Sequence, residues 1–268
     1  MGDTCSPGMA LSADEVAHFH ERGYLPPFDL FSAEQMAALR PELERIFADE
    51  HGGHNSHQYA PAVWELASRR EIVGRMASLL GQDLSIWRTN FFVKEPAGSG
   101  SPLTREIPFH QDRNYWPLEP AVILSAWIAV TDSTPEMGCV EIIPGSHRLV
   151  VPHIDLGRED ELPSNFVVGA DPASFDESSR VSVPMSAGQV LLFNERTLHS
   201  SQPNRTAERR IGLAVRVVPP LVKVLSYDAP WHKLVPVSGD PASRLPFNAF
   251  AEPGEFELGA REAQQGKL

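Results

Sequence analysis

Val122-Ile-Leu-Ser-Ala-Trp-Ile-Ala-Val130 is a near-continuous apolar run rich in β-forming residues. Its neighbours have the same texture. Leu84-Ser-Ile-Trp-Arg-Thr-Asn-Phe-Phe-Val-Lys94 has strand composition, and Cys139–Ile143, Val181–Val183, Gln189–Phe193 and Ile211–Val218 supply further short strands. Turn signals separate them: Pro-Gly-Ser at 144–146, Ser-Ala-Gly at 186–188 and Pro-Asn at 203–204. Short strands punctuated in this way argue for a sandwich or jelly roll. The 24 prolines and 19 glycines suit that architecture better than a helical bundle.

Upstream, from about residue 12 to 81, the pattern turns helical. Ser12-Ala-Asp-Glu15 and Ser32-Ala-Glu-Gln35 are capping boxes, in which the first and last side chains satisfy free N–H groups at a helix start. Val16 and Phe19 form a short apolar stripe that Gly23 can end. Met36, Leu39, Leu43, Ile46 and Phe47 follow at helical spacing, with a kink or break expected at Pro41. A third helix is expected from about Arg69 to Leu80, stopped by Gly81. The acidic, turn-rich stretch 158–180 reads as a surface excursion. The proline-rich tail 219–268, with Tyr227, Trp231, Phe247, Phe250 and Phe256, reads as packing over the barrel or closing an opening.

At 268 residues the chain is long enough to bury a sizeable core as one domain without disulfides. A net charge of −12 and the lack of a basic run argue against a nucleic-acid partner. No apolar run approaches the ~18 residues of a membrane span. Neither cysteine, Cys5 or Cys139, belongs to a disulfide framework. With both read as reduced and no signal peptide evident, a cytoplasmic setting is expected. Oligomeric state is not readable.

Phe109-His110-Gln111-Asp112 carries the chemistry. Residues two apart on an extended chain share a face, so His110 and Asp112 can reach one metal ion. His199, after a strand-like run and before the polar turn Ser200-Ser201-Gln202-Pro203-Asn204, is the candidate for a second imidazole. Two histidines and a carboxylate on one side of a metal leave the other side open for a co-substrate and dioxygen, which suits iron(II). A His-x-Asp tripeptide taken alone equally suits an ordinary surface turn.

The surrounding blocks go further. Phe92-Val-Lys-Glu-Pro96, Pro108-Phe-His-Gln-Asp112, Gly138-Cys-Val-Glu-Ile-Ile-Pro-Gly-Ser-His147, Gly188-Gln-Val-Leu-Leu-Phe193 and His199-Ser-Ser-Gln-Pro-Asn204 with Arg210 occur in order. Together they resemble the phytanoyl-CoA dioxygenase family of iron(II)/2-oxoglutarate oxygenases over roughly residues 84–218. The resemblance implies a mainly β fold, a double-stranded β-helix (jelly-roll, cupin-like) barrel with N-terminal flanking α-helices. It implies His110, Asp112 and His199 as iron ligands and Arg210 as the partner of the far carboxylate of 2-oxoglutarate. An always-charged fork of donors suits a buried dicarboxylate. Arg209 is adjacent, cannot share that strand face and reads as solvated; pairing of Arg210 with an acidic side chain on the sheet is the competing role.

Ser201 resembles the hydroxyl that supports the same carboxylate, and also fits as a plain turn serine. Trp116 matches an aromatic near co-substrate or substrate, and also fits as core. Lys94, Asn90 and Arg88 alternate on one strand face that can point into the pocket, the first two toward the co-substrate and Arg88 toward substrate. Arg113 and Asn114, just after the iron motif, are further substrate candidates. His51, His54 and His57 in HGGHNSHQY read as a mobile loop, a lid segment, rather than a second metal site. His147 reads as structural; His153 and His232 carry no motif.

Asp112 stands where related halogenases carry a small residue that leaves room for halide, so the resemblance implies hydroxylation of a small-molecule metabolite, as in biosynthesis. 2-Oxoglutarate and dioxygen would end as succinate and carbon dioxide. Oxidative epimerisation, cyclisation or desaturation at the same centre is the alternative, and a non-catalytic jelly-roll binding protein is the other.

Overall fold

The computed structural model describes residues 9–49, 52–158, 162, 167–225 and 233–252. Cys5, His51, Tyr227, Trp231, His232 and Phe256 lie outside them. The chain opens with helix α1 (Ala13–Arg22), strand β1 (Tyr24–Asp29), and helices α2 (Ala33–Phe47), α3 (Pro61–Ala67) and α4 (Arg70–Leu80). Strands β2 (Leu84–Lys94), β3 (Ile107–His110), β4 (Leu118–Glu119), β5 (Leu124–Ala129) and β6 (Val140–Ile142) follow. Then come β7 (His153–Asp155), β8 (Val168–Ala170), β9 (Val181–Val183), β10 (Gln189–Asn194) and β11 (His199–Ser201). The last are β12 (Arg210–Val218), β13 (Lys223–Val224) and β14 (Val235–Ser238).

The strands form a six-stranded sheet, β1-β10-β5-β12-β2-β14, and a four-stranded sheet, β3-β11-β6-β9, with two-stranded ribbons β13-β4 and β7-β8. All pairings between these strands are antiparallel, as in a jelly roll.

The apolar run at 122–130 makes sense in this arrangement. Its strand β5 is central in the large sheet and is covered on both faces. Leu124, Ala126 and Ile128 pack with Met36, Leu43, Val63, Ile72 and Met76 of the helices. Trp127 and Ala129 turn the other way, onto Val140, Ile142 and Val183 of the small sheet. A strand buried on both sides loses the polar alternation of a half-exposed one. Helices, large sheet and small sheet are thus three layers around two apolar interfaces.

Both capping boxes form, with Ser12 and Ser32 each accepting from a backbone N–H three residues on. Gly23 ends α1 at φ 81°, a left-handed conformation open to glycine. Three expectations are corrected. The N-terminal part is not wholly helical: Tyr24–Asp29 is an edge strand on β10. Helix α2 runs unbroken through Pro41, because burial of Met36, Leu43 and Ile46 offsets the lost hydrogen bond. The 51–57 segment, over its described part, is no mobile lid. His57 is buried, with its backbone N–H and Nδ1 against the Thr89 hydroxyl, and Asn55 donates to the Thr89 carbonyl. Its described part is anchored on β2, so His54 and His57 belong to the core edge rather than to an opening.

Cys139 is a buried free thiol. The tail adds β14 to the outer edge of β2, and Phe250 packs against a cluster with Trp87, Leu118 and Leu234. No helix among the described residues is long and apolar enough to cross a membrane.

Candidate metal centre

His110 ends β3 and His199 begins β11, and the register sets them directly opposite each other. Opposed residues on antiparallel strands share a face, and the imidazole centroids lie 4.2 Å apart. Asp112 follows in a short turn, residues Asp112–Asn114, that swings its carboxylate back onto that face. Its Oδ1 lies 3.7 Å from His110 Nε2 and 4.0 Å from His199 Nε2. One ligand atom from each residue falls within 4.8 Å of the others, the one such group among the described residues.

The donor set fits iron(II). His110 Nδ1 donates to the Pro108 carbonyl at 2.8 Å, and His199 Nδ1 donates to the Thr197 carbonyl at 2.9 Å. A carbonyl only accepts, so each ring carries its proton on Nδ1 and presents Nε2 to a metal. Asp112 Oδ2 is buried with no hydrogen-bond partner. Burial alone would raise the Asp112 pKa. Arg216, the His110 hydrogen bond and the histidine charges outweigh it and hold the group at about 2. Burial, then repulsion from His110, lowers His199 to about 4. The aspartate is therefore ionised and His199 neutral at neutral pH, as metal binding requires.

Gln111, between His110 and Asp112, points to the opposite face and is fully buried. Its amide nitrogen donates to the Leu149 and Arg196 carbonyls at 2.9 and 2.6 Å, and its oxygen accepts from Val151 N–H at 3.2 Å. It ties the ligand turn to two other segments. Gln111→Leu leaves those backbone groups unpaired and is expected to weaken iron(II) binding by roughly tenfold. Titration of the metal-free variant checks this; wild-type affinity would remove Gln111 from the support of the site.

The triad lies in a cavity of about 460 Å³, counted with the solvent-open space at its mouth. Phe92, Trp127, Val140 and Phe193 supply its apolar wall, and Ser201, Arg210 and Arg216 its polar part. Arg210 is 2% exposed. It donates to the Gly138 carbonyl at 3.2 Å and lies over the Trp127 ring, while its Nε has no partner. No carboxylate among the described residues pairs with it, so the competing ion-pair role finds no support. Arg209 instead pairs with Glu95 at 2.9 Å, away from the cavity lining. The Ser201 hydroxyl donates to the same Gly138 carbonyl at 2.9 Å. Gly212 leaves room for Trp127: an added Cβ would come within 1.9 Å of its ring.

The other candidates fall outside the lining. Lys94 is buried behind Ser201 and donates to the Arg105 and Ser201 carbonyls. Asn90 accepts from Arg216 at 2.8 Å and donates to His54 Nδ1 at 2.5 Å. Trp116 stacks under Arg216 with its ring centroid 4.7 Å from the guanidinium carbon, and it meets Trp87 edge-on. Arg88 lies over Trp87. Arg113 gives its backbone N–H to the Glu195 carbonyl. Asn114 is exposed and contacts the His153 ring at 2.6 and 3.1 Å. His147 bonds the His20 carbonyl, a structural contact.

Arg216 is the charged cavity residue that sequence reading passed over. The signal was available: Arg210, Gly212, Ala214 and Arg216 sit at strand period on β12.

Lys94 has a consequence for stability. Burial and the Arg210 charge, partly offset by Glu106, lower it from 10.5 to about 6. Between those values the unfolded chain holds a proton that the folded chain lacks, so stability rises with pH across that window. Lys94→Met is expected to flatten the rise by a few kcal/mol, on the order of the shift itself. Urea unfolding of metal-free protein at pH 6.5 and 9 checks it; equal slopes in the two proteins would contradict it.

A family model described as phytanoyl-CoA dioxygenase matches residues 19–212. The chain belongs to that family. Within it, a phytanoyl-CoA dioxygenase domain-containing protein 1 of Mus musculus is 26% identical over 211 residues. That match covers 77% of this chain and 66% of the mouse protein, just under two thirds of its length. Among solved structures, the non-heme monooxygenase ThoJ in its apo form superposes with a TM-score of 0.72 at 25% identity, covering 93% of each chain. The non-heme alpha ketoglutarate dependent carbocyclase SnoK from nogalamycin biosynthesis gives 0.64 at 25% identity, covering 84% of this chain and 89% of its own. Family membership and these neighbours agree with the mainly β jelly roll described above.

Proposed function

We propose that this protein is a mononuclear non-haem iron(II) oxygenase that uses 2-oxoglutarate and dioxygen to hydroxylate an unactivated C–H bond of a small-molecule metabolite, in a biosynthetic pathway of the cytoplasm. One observation carries the reading. The ligand atoms of His110, Asp112 and His199 converge in a cavity whose lining includes Arg210, buried and without an acidic partner.

When bound, iron(II) with 2-oxoglutarate and dioxygen supplies the oxidising power, and succinate and carbon dioxide leave. The chain supplies geometry and dryness. His110, Asp112 and His199 hold the metal. Arg210 takes the far carboxylate of the co-substrate, and Ser201, sharing the Gly138 carbonyl with it, sets its approach. Lys94 buttresses Ser201 through its carbonyl. The aromatic wall excludes water and positions the substrate carbon that reacts.

A second reading keeps the same centre for oxidative epimerisation, cyclisation or desaturation, and the likeness to SnoK favours it specifically. Turnover with isotopically labelled dioxygen separates the two. Hydroxylation gives a product heavier by one labelled oxygen atom; a product of unchanged mass, or lighter by two hydrogens, would establish the second reading. A non-catalytic binding protein has no need of all four of His110, Asp112, His199 and Arg210, and succinate formation dependent on 2-oxoglutarate would exclude it.

A further inference from the structure

Facing residues of β2 and β12 pair as Lys94 with Arg210, Phe92 with Gly212, Asn90 with Ala214 and Arg88 with Arg216. The ladder thus has a cationic rung at each end. Like charges directly opposite on a sheet are destabilising, so each rung calls for an explanation. The first has one. Lys94 spends its ammonium on backbone carbonyls and loses its proton readily, so Arg210 alone carries charge toward the co-substrate.

The second rung is only partly neutralised. Arg216 is 5% exposed and lines the cavity, and its Nε has no hydrogen-bond partner, with Asp112 as its ion-pair partner. The buried Nε of Arg88 has no hydrogen-bond partner either. Burial and the Arg216 charge lower Arg88 to about 10, and a guanidinium keeps its proton in proteins. Among the described residues the acid facing them is Asp112, 3.9 Å from Arg216 Nε and already committed to the metal. The chain also builds a bed for these groups. Trp87 is an unpaired extra residue between Arg88 and Ile86, a β-bulge that places its ring under Arg88. Trp116, edge-on to Trp87, lies under Arg216. Asn90 fixes the Arg216 fork from the side.

We propose that the Arg88–Arg216 rung binds a carboxylate carried by the substrate, which makes the substrate a small carboxylic acid oriented with its acid end on β2 and β12. The inference rests on the oxygenase reading for its use of the word substrate. Arg216 presents a planar fork from the cavity lining, and Arg88, opposite it in the strand register and just outside that lining, adds a second positive charge behind it, a match for a carboxylate. A phosphate ester shares the charge, and the test includes it.

The test titrates benzoate, benzamide and phenyl phosphate by calorimetry into protein loaded anaerobically with iron(II) and 2-oxoglutarate, with the visible band of the loaded protein followed in parallel. Benzoate is expected to bind saturably, benzamide not at all, and phenyl phosphate more weakly than benzoate. Arg88→Met and Arg216→Met should each weaken benzoate by about tenfold or more, and Arg88→Lys should recover part of the loss. Arg88→Met should keep the visible band and its 2-oxoglutarate requirement, which shows the variant folded. Equal binding of benzamide, unchanged benzoate affinity in Arg88→Met, tighter binding of phenyl phosphate, or displacement of benzoate by added 2-oxoglutarate would each overturn the proposal. If wild type forms no visible band, the oxygenase reading fails. Benzoate titrated into metal-free protein then still tests the rung: Arg88-dependent binding supports a carboxylate site, and its absence overturns one.

Discussion

Asp112→Asn is expected to lower iron(II) affinity by more than ~100-fold and to remove turnover, because loss of an outer partner already costs ~10–100-fold and this residue is a proposed ligand. The replacement keeps the shape and removes the charge. It also strips Arg216 of the carboxylate 3.9 Å away. The metal-free protein should feel this. The Asp112 carboxyl lies at about 2 in the fold against an ordinary 3.8, so it contributes stability that is present above 3.8 and lost as pH falls through about 2. At pH 7 the contribution is on the order of 2 kcal/mol, and an uncompensated buried Arg216 adds to the cost of the variant. Metal titration and urea unfolding at pH 7 check both parts. Undiminished iron affinity would show that the aspartate is no ligand.

Arg210→Met should raise the 2-oxoglutarate concentration needed for half-saturation by about 100-fold or more, since a buried charged hydrogen-bonded pair loses ~2–5 kcal/mol when one partner is truncated. Iron binding should change little, because Arg210 touches Gly138 and Trp127 rather than His110, Asp112 or His199. The unloaded variant should be no less stable than wild type. Its arginine is desolvated and pairs with no acid among the described residues, so removing it relieves a cost. A structural arginine would behave in the opposite way: stability would fall and 2-oxoglutarate binding would follow only through misfolding. Arg210→Lys should recover part of the affinity, keeping the charge without the fork.

Legibility in the sequence followed the range of the interactions. Capping boxes at Ser12 and Ser32 and the stop at Gly23 are decided within a few residues and were readable. So were β5 and β10, whose burial writes apolar runs, and β2 and β12, whose β-forming composition marks them as strands. The proposed ligands were legible from the His110-x-Asp112 tripeptide and the family blocks, although Asp112 reaches the site from a short turn after β3 and not by strand alternation. Features set by partners distant in sequence were not. Tyr24–Asp29 becomes a strand only because β10 offers it an edge. Pro41 sits inside a helix because the packing of its neighbours outweighs the lost bond. The histidine-rich 51–57 stretch reads as mobile from its glycines, yet in its described part Thr89 and Asn90 anchor His57 and His54 to β2. Arg216 was masked by its distance in sequence from Asp112, although its period with Arg210 placed it on the cavity face.

The most direct measurement is anaerobic addition of iron(II) and then 2-oxoglutarate to metal-free protein, followed in the visible range, with His110→Ala and Arg210→Met alongside. A weak absorption band that needs both additions, vanishes in His110→Ala and demands far more 2-oxoglutarate in Arg210→Met is the expected result. A folded, iron-binding wild type that gives no band at any 2-oxoglutarate concentration would contradict the assignment of this cavity as an iron(II)/2-oxoglutarate site.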